Sequence, residues 1–126
     1  MHAAPPTRLR LGRPQRVTQN RDFMRVRQQG QRLVMGCLIA NWQPLPEGAG
    51  PKLGVVTSKK IGNAVARNRA RRLMRESFRQ HQHELTKPVE LILVARPSIA
   101  GRDFAQVEKD FLTTLRRAGL LKISNS

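Results

Sequence analysis

Residues 58–79 read SKKIGNAVARNRARRLMRESFR, a stretch that predicts the end of a strand, a turn and a long helix, in that order. Asn63 is a favourable N-cap residue, and Pro88 sets the latest point at which the helix can end. At about 100° per residue, one face of this helix collects small and apolar side chains. They are Ala66, Ala70, Leu73, Met74 and Ser77, with Phe78 at the edge. The helix therefore buries a narrow apolar stripe.

The opposite face of the same helix is cationic. It carries Asn68, Arg71, Arg72, Arg75 and Arg79, with Arg67 and Arg69 at its flanks. Glu76 is the only acid between residues 65 and 79, and it can pair with Arg72 one turn away. Like charges one turn apart cost about 0.2–0.5 kcal/mol per pair, so we expect an anionic ligand to offset the repulsion. The alternative is a solvated face held by salt bridges within the helix.

The turn before the helix adds further positive charge. Lys59 and Lys60 follow the predicted strand, and Gly62 lets the backbone approach a ligand closely. Free amides and the positive end of the helix dipole point toward the same region, which favours phosphate. Glycine and asparagine are also common in turns for geometric reasons, so the turn alone is only moderately specific.

The net charge of the whole chain points to a polyanionic partner. The 126 residues fit one domain and carry a formal charge of +16. The 75 residues up to Arg75 hold 16 basic and 2 acidic residues, whereas the remainder holds 8 and 6. A membrane partner is disfavoured because no lipidation signal or exposed apolar helix face stands out. Without an apolar span or signal-peptide core, we expect a cytoplasmic, nucleic-acid-binding protein.

The other segments predict an α+β fold. We expect a flexible basic arm over residues 1–16, a single domain over 17–120 and a tail over 121–126. Within the domain, the sequence predicts helices from Thr18 to before Gly30 and from Asp103 to before Gly119, and strands over residues 32–42, 52–58 and 89–96. A strand-helix-strand unit usually pairs its strands in parallel and crosses over right-handedly. The rest of the small sheet is expected to be antiparallel.

Few residues are suited to catalysis by the chain itself. Nucleases that hold metal ions need clustered carboxylates, yet the first 75 residues contain only Asp22 and Glu47. His81 and His83 have a metal-like spacing, but side chains two apart diverge on a helix, so we expect both at the surface. Cys37 is the single cysteine and is expected to be a small buried side chain. No metal site built from protein side chains alone is predicted.

The stretch over residues 58–79 resembles the signature region of the bacterial ribonuclease P protein component. The pattern R-N-R-x-x-R-x-x-R-E is matched at Arg67, Asn68, Arg69, Arg72, Arg75 and Glu76. The order of elements is also similar over about residues 8 to 120, including the short helix around RDFMRV and the apolar strand ending in VAR. The match is specific because charge statistics alone do not produce it.

The resemblance implies a subunit of a ribonucleoprotein endoribonuclease, a hydrolase that removes the 5′ leader of precursor tRNA. In that family the catalyst is a large RNA that holds the Mg²⁺ ions, and the protein assists it. The implied partners are the catalytic RNA, with one protein per RNA, and precursor tRNA. The family fold contains a left-handed strand-helix-strand crossover. We therefore expect a left-handed crossover in this chain, against the general statistical preference for right-handed ones.

The resemblance also assigns site residues. Those expected to face the catalytic RNA are Lys59, Lys60, Asn63, Arg67, Asn68, Arg69, Arg71, Arg72 and Arg75. A cleft between the sheet and the first helix is expected to receive the leader, with Phe23, Arg27 and Asn41 as candidates. Arg27 and Asn41 stand where the family often has aromatic residues, so we expect more electrostatic contacts. Because side chains alternate along a strand, Trp42 should point to the side opposite Asn41. The alternative role for Phe23 is packing in the core.

Three other functional classes compete with this interpretation. A ribosomal or RNA-chaperone protein is the main alternative, because small basic α+β domains are common there. A sequence-specific DNA-binding protein is less favoured, since neither helix-turn-helix nor zinc-finger spacing is present. A nuclease that cuts without an RNA subunit is least favoured, since metal ligands are lacking.

Overall fold

The computed structural model describes residues 20–122, which form four strands and three helices. The helices are α1 (Asn20–Gln29), α2 (Ala64–His81) and α3 (Phe104–Arg117), and the strands are β1 (Gln31–Met35), β2 (Leu38–Pro44), β3 (Lys52–Val56) and β4 (Val89–Ala95). Short 3-10 turns cover Lys59–Ile61, Gln82–Glu84 and Pro97–Ile99. The predicted basic arm, the expected helix start at Thr18 and residues 123–126 lie outside the described residues.

The four strands form one sheet in the order β1-β2-β4-β3. β3 and β4 are parallel, as expected for strands joined by a long helix, and the other two pairs are antiparallel. Leu91 in β4 pairs with Trp42 on one side and Leu53 on the other. The α+β class with a mostly antiparallel sheet is therefore confirmed, while the left-handed crossover stays a prediction.

The strand predicted over residues 32–42 is wrong in one respect, because the chain turns back within it. β1 ends at Met35 and β2 begins at Leu38, so Gly36 and Cys37 form a two-residue hairpin loop. Gly36 has a φ of 58°, a conformation that favours glycine. The amide of Cys37 donates to Asp110 Oδ2 in α3 at 3.0 Å, which holds the turn against that helix. The turn was not predicted because the apolar run continues through it without a polar turn residue.

One face of the sheet, the core face, is covered by α2 and α3. Met74 and Phe78 of α2 and Phe111 and Leu115 of α3 are all almost completely buried against it. Trp42 lies in the same cluster at 5% exposure, as strand alternation predicts. Cys37 is fully buried, as expected. The apolar stripe of α2 predicted from the sequence thus forms the central contact of the fold.

The caps of the two long helices also follow the sequence. Asn63 caps α2 by accepting a hydrogen bond from the amide of Ala66 at 2.9 Å. Asp103 and Gln106 form a capping box at the start of α3. These local signals fix where each helix begins, and hence how its apolar stripe meets the sheet.

His81 joins the end of α2 to α3, which corrects the expectation that both histidines lie at the surface. Its Nδ1 lies 2.8 Å from Glu84 Oε2 and its Nε2 lies 2.7 Å from Glu108 Oε2. Both nitrogens donate when the ring is protonated. Burial lowers the pKa of His81, but the hydrogen bonds to Glu108 and Glu84 outweigh burial, so the pKa is raised. His83 is exposed, as predicted.

We expect the contribution of His81 to stability to disappear as pH rises. Because its folded-state pKa is raised, the contribution is complete below the ordinary pKa near 6.5 and is lost as pH passes through the folded value. Melting temperatures of the wild type and His81→Gln should differ more at about pH 5.5 than at about pH 9. His83→Gln is the matched control and should change little at either pH. An equal His81→Gln difference at both pH values would contradict this assignment.

Candidate nucleic-acid interface

The exposed side of α2 carries the predicted cationic residues. Asn68, Arg69 and Arg72 are exposed, and Arg67, Arg71 and Arg75 are partly buried. We call the side of α2 that bears these six residues the arginine face.

Three of these arginines are held in place by uncharged acceptors. Arg67 Nη1 donates to the Gly62 carbonyl at 2.8 Å, and Arg69 Nη2 donates to the Arg102 carbonyl at 2.6 Å. Arg71 donates to Thr57 Oγ1 at 2.5 Å and also to the Asn68 side chain. Because no carboxylate takes part in these bonds, each guanidinium keeps its full charge while its orientation is restricted. Such preorganisation lowers the entropy cost of binding an anion.

Glu76 does not pair with Arg72, contrary to the expectation from spacing. It accepts hydrogen bonds from Arg79 Nε at 2.8 Å and Gln80 Nε2 at 2.8 Å instead. The bonds from Arg79 and Gln80 lower the pKa of Glu76 to about 2. Within residues 20–122, no residue accepts a hydrogen bond from Arg72. The single acid of the helix therefore neutralises Arg79 at its C-terminal end and leaves the charge of Arg72 uncompensated.

In the turn preceding α2 the amides of Lys60, Ile61 and Gly62 are hydrogen-bonded within the turn, so the free amides beside the lysines belong to the first residues of α2. Ser58 Oγ accepts from the Lys60 amide at 3.3 Å, and Gly62 has a φ of 141° that a side chain rarely adopts. Asn63 satisfies only one of the free amides in the first turn of α2. Lys59 and Lys60 are both exposed. The predicted phosphate-binding groups thus lie together at one end of the arginine face.

A groove of about 390 Å³ lies on the opposite face of the sheet, beneath α1. It brings together the three predicted leader residues Phe23, Arg27 and Asn41. Its other lining residues are Arg32, Ile39, Val56, Ile92 and Val94. Arg32 was missed from the sequence because the hairpin was missed. In the observed register Arg32 pairs with Asn41, which places both side chains on the groove face.

Phe23 is both packed and accessible, so its two alternative roles are not exclusive. It contacts the small cluster of Val26 and Ile92 yet remains only half-buried at the groove. A β-carbon on Gly54 would lie 2.8 Å from the Phe23 ring, so this glycine lets the ring lie against β3.

The Asn41 side chain is a buried polar group without a partner in the described chain. It is 4% exposed, and no residue between 20 and 122 forms a hydrogen bond with its amide. Buried polar groups are nearly always hydrogen-bonded, to protein or to water, so the Asn41 amide keeps its hydrogen-bonding capacity for a molecule in the groove. This sets Asn41 apart from the apolar residues around it.

α1 is fixed above the groove by an ion pair as well as by Val26. Arg25 donates to the Glu90 carboxylate, which is 2% exposed on the groove face of β4. A buried carboxylate requires such a partner. The ion pair thus positions the helix that carries Phe23 and Arg27.

Among residues 20–122, no three His, Cys, Asp or Glu side chains are placed to share a metal ion. No helix in that same range is long and apolar enough to cross a membrane.

The fold, the arginine face and the groove with its half-exposed aromatic ring together define an RNA-binding α+β protein. A family model described as Ribonuclease P matches residues 11–119. The ribonuclease P protein component of Listeria innocua is 33% identical over 107 residues, covering 85% of this chain and 90% of the relative. The corresponding protein of Gluconacetobacter diazotrophicus is 33% identical over 109 residues, covering 86% and 94%.

Solved structures agree with the sequence relatives. The Staphylococcus aureus RNase P protein superposes with a TM-score of 0.78 at 27% identity, covering 86% of this chain and 98% of that one. The RNase P protein from Thermotoga maritima gives a TM-score of 0.71 at 26% identity, covering 81% and 96%. The chain belongs to the bacterial ribonuclease P protein family. It is the protein subunit of a ribonucleoprotein endoribonuclease that acts in tRNA processing, with catalysis on the RNA.

We predict that Gly54→Ala destabilises the protein because the new methyl group collides with the Phe23 ring and the Ile92 side chain. Overpacking of this kind costs about 1–3 kcal/mol in the free energy of unfolding, measured by urea denaturation. Gly50→Ala is the matched control, since a β-carbon there meets nothing within 4 Å, and it should be neutral or slightly stabilising. Equal stability of Gly54→Ala and the wild type would show that the ring does not rest against β3.

Proposed function

We propose that the arginine face and the turn before it bind the catalytic RNA of ribonuclease P, while the groove binds the 5′ leader of precursor tRNA. The observation that supports this most strongly is the set of guanidinium groups held by carbonyl and hydroxyl oxygens. If the arginines only formed salt bridges within the protein, carboxylates would be the acceptors of these hydrogen bonds. The family membership favours this function over a ribosomal or chaperone role.

The arginine face suits a folded RNA because its donors are forked and fixed. Guanidinium groups make paired hydrogen bonds to phosphate oxygens, and Arg72 has no competing partner in the described chain. Lys59, Lys60 and Asn63 extend the contact along the turn, where the α2 dipole also favours anions. The contacts proposed for the catalytic RNA are therefore Lys59, Lys60, Asn63, Arg67, Asn68, Arg69, Arg71, Arg72 and Arg75.

The groove suits a single strand because it offers stacking, charge and one hydrogen-bonding group. A base can stack on Phe23 only when it is unpaired. Arg27 and Arg32 at the groove can contact phosphates, and the Asn41 amide can bond to the edge of a base. These features distinguish the groove from the arginine face, which lacks an aromatic residue in the described chain.

The two surfaces meet at the end of β3. Val56 lines the groove, and the next residue, Thr57, accepts the hydrogen bond that orients Arg71 on the arginine face. One protein can therefore hold both RNAs at once, and we propose one protein per catalytic RNA. Its positive charge reduces the repulsion between two polyanions.

The hydrolysis itself is assigned to Mg²⁺ bound mainly by the catalytic RNA, with the protein contributing binding and orientation. Mg²⁺ would supply activation of the attacking water and stabilisation of the charge that develops at the cleaved phosphate. The protein would act in the cytoplasm, where tRNA precursors are processed.

We predict that Arg72→Ala weakens binding to the catalytic RNA and flattens its salt dependence. Loss of one phosphate contact should reduce the slope of log K against log salt by about 0.7–0.9. Fluorescence titration at several salt concentrations measures this slope. Arg117→Ala at the end of α3 removes the same charge away from the arginine face and should leave the slope almost unchanged. Identical slopes for Arg72→Ala and the wild type would argue against a direct contact.

We predict that Phe23→Leu weakens binding of precursor tRNA by the assembled enzyme only when a leader is present. Replacing the ring keeps an apolar side chain in the Val26 cluster but removes base stacking, which is worth about 1–3 kcal/mol per base. Equilibrium binding of precursor tRNA and mature tRNA should therefore respond differently. Met24→Leu is the control, because Met24 is the 50%-exposed neighbour on α1. A similar loss for mature tRNA would place the effect outside the groove.

A further inference from the structure

A second cavity lies beside the arginine face, and it shares only Arg69 with the RNA contacts proposed above. Its volume is about 250 Å³. The floor is apolar and buried, with Ile61 at 6%, Ala70 at 2% and Ile99 at 1% exposure. Arg69 and Ala100 are exposed residues of its lining and form the rim. We call this space the base cavity.

The cavity exists because small residues meet two tight turns. Ala66 and Ala70 are one helical turn apart on α2, and their methyl groups leave space that a larger side chain would fill. The turns at Lys59–Ile61 and Pro97–Ile99 close the remaining sides through Ile61 and Ile99.

Arg69 is fixed at the rim by the loop that carries Ala100. Its Nη2 donates to the Arg102 carbonyl at 2.6 Å, and Arg102 Nε in turn donates to the Ser98 carbonyl at 3.3 Å. A planar cation is thus held beside an apolar floor, and its charge is not neutralised by this bond. Guanidinium planes stack on unpaired bases, which makes this arrangement selective for a flat ring.

The size and the surrounding charge restrict the occupant further. Sites for drug-sized ligands usually measure about 300–1,000 Å³, so a smaller cavity suits a single ring system. Lys60 and Arg67 are chain neighbours of the lining residues Ile61 and Ala66, and Arg72 follows Arg69 by about one helical turn, so this part of the surface is positively charged and attracts a polyanion. Val65, one turn before Arg69 and 75% exposed, offers apolar surface to a sugar. An unpaired nucleotide satisfies all of these conditions.

We propose that the base cavity receives one unstacked nucleobase of the catalytic RNA, an inference that rests on the function proposed above. The base lies against Ile61 and Ile99 with Arg69 at its edge or face, while neighbouring phosphates bind the arginine face. The contact lets α2 distinguish an unpaired position in a folded RNA from a regular duplex. Phosphate contacts alone carry no such information.

Chemical probing of the catalytic RNA tests this proposal. Dimethyl sulfate modifies unpaired A and C, and a carbodiimide reagent modifies unpaired G and U. Hydroxyl radicals cleave the exposed backbone. The wild type and Ala100→Ser should protect one unpaired base next to a backbone footprint. Ala100→Leu fills the cavity from an exposed loop position whose backbone angles suit any residue. In this variant the base should react as it does in the free RNA, while most of the backbone footprint remains. Affinity should fall, but by no more than the roughly 5- to 150-fold that loss of one base stacked on an aromatic ring would cause, because the floor of the cavity is aliphatic.

The outcomes separate this proposal from the function on which it rests. Absence of any wild-type backbone footprint would overturn the proposed function. A footprint with no protected base, or with protection that persists in Ala100→Leu, would overturn only the base cavity. Protection of a precursor tRNA base in place of one in the catalytic RNA would assign the cavity to another occupant.

A photocrosslink gives a second test that does not depend on Ala100→Leu folding. Ser98→Cys places a reactive thiol on the exposed turn beside the cavity. Cys37 will not compete for the reagent, because it is fully buried, and burial together with the hydrogen bond that its thiol donates to Asp110 raises its pKa to about 12. An azidophenacyl group at position 98 should crosslink to the same unpaired segment that shows protection. Crosslinks confined to duplex regions or to precursor tRNA would contradict the proposal.

Discussion

The constraint on which the structure depends is the division of α2 into a narrow apolar stripe and a broad cationic face. Met74 and Phe78 anchor the helix to the core, so its remaining surface must point outward. Arg67, Arg69 and Arg71 are then restrained by backbone and side-chain oxygens that carry no charge. The repulsion among these groups is tolerated because packing of the opposite face, and not intrahelical pairing, stabilises the helix.

The sheet separates the two surfaces that the function requires. Its core face supports α2 and α3, while its other face and α1 form the groove. The parallel β3–β4 pair places the end of β3 directly before α2, so the same few residues end the groove and begin the arginine face. Gly54 and the Arg25–Glu90 pair set the position of α1 above the sheet. The geometry of the groove therefore depends on residues that do not themselves line its surface.

Local signals predicted much of the fold, and contacts distant in sequence account for the missed hairpin and the missed groove residue Arg32. Two kinds of prediction depend only on neighbours a few residues away, namely the N-caps at Asn63 and Asp103 and the helical spacing of apolar side chains in α2. Both are confirmed. The turn at Gly36 is stabilised by Asp110, 74 residues later, and was missed. The resemblance led to Phe23, Arg27 and Asn41, which line one groove. Arg32 required the hairpin register, and the base cavity required two turns far apart in the chain to meet.

Reconstitution at low Mg²⁺ shows whether this chain supplies RNA-binding surface while its RNA partner supplies the chemistry. The purified protein, a bacterial ribonuclease P RNA and precursor tRNA are combined, and release of the 5′ leader is followed with each component omitted in turn. We expect little cleavage by the RNA alone, none by the protein alone and efficient cleavage by the two together. Cleavage by the protein alone, or a rate with RNA that the protein does not change, would contradict it.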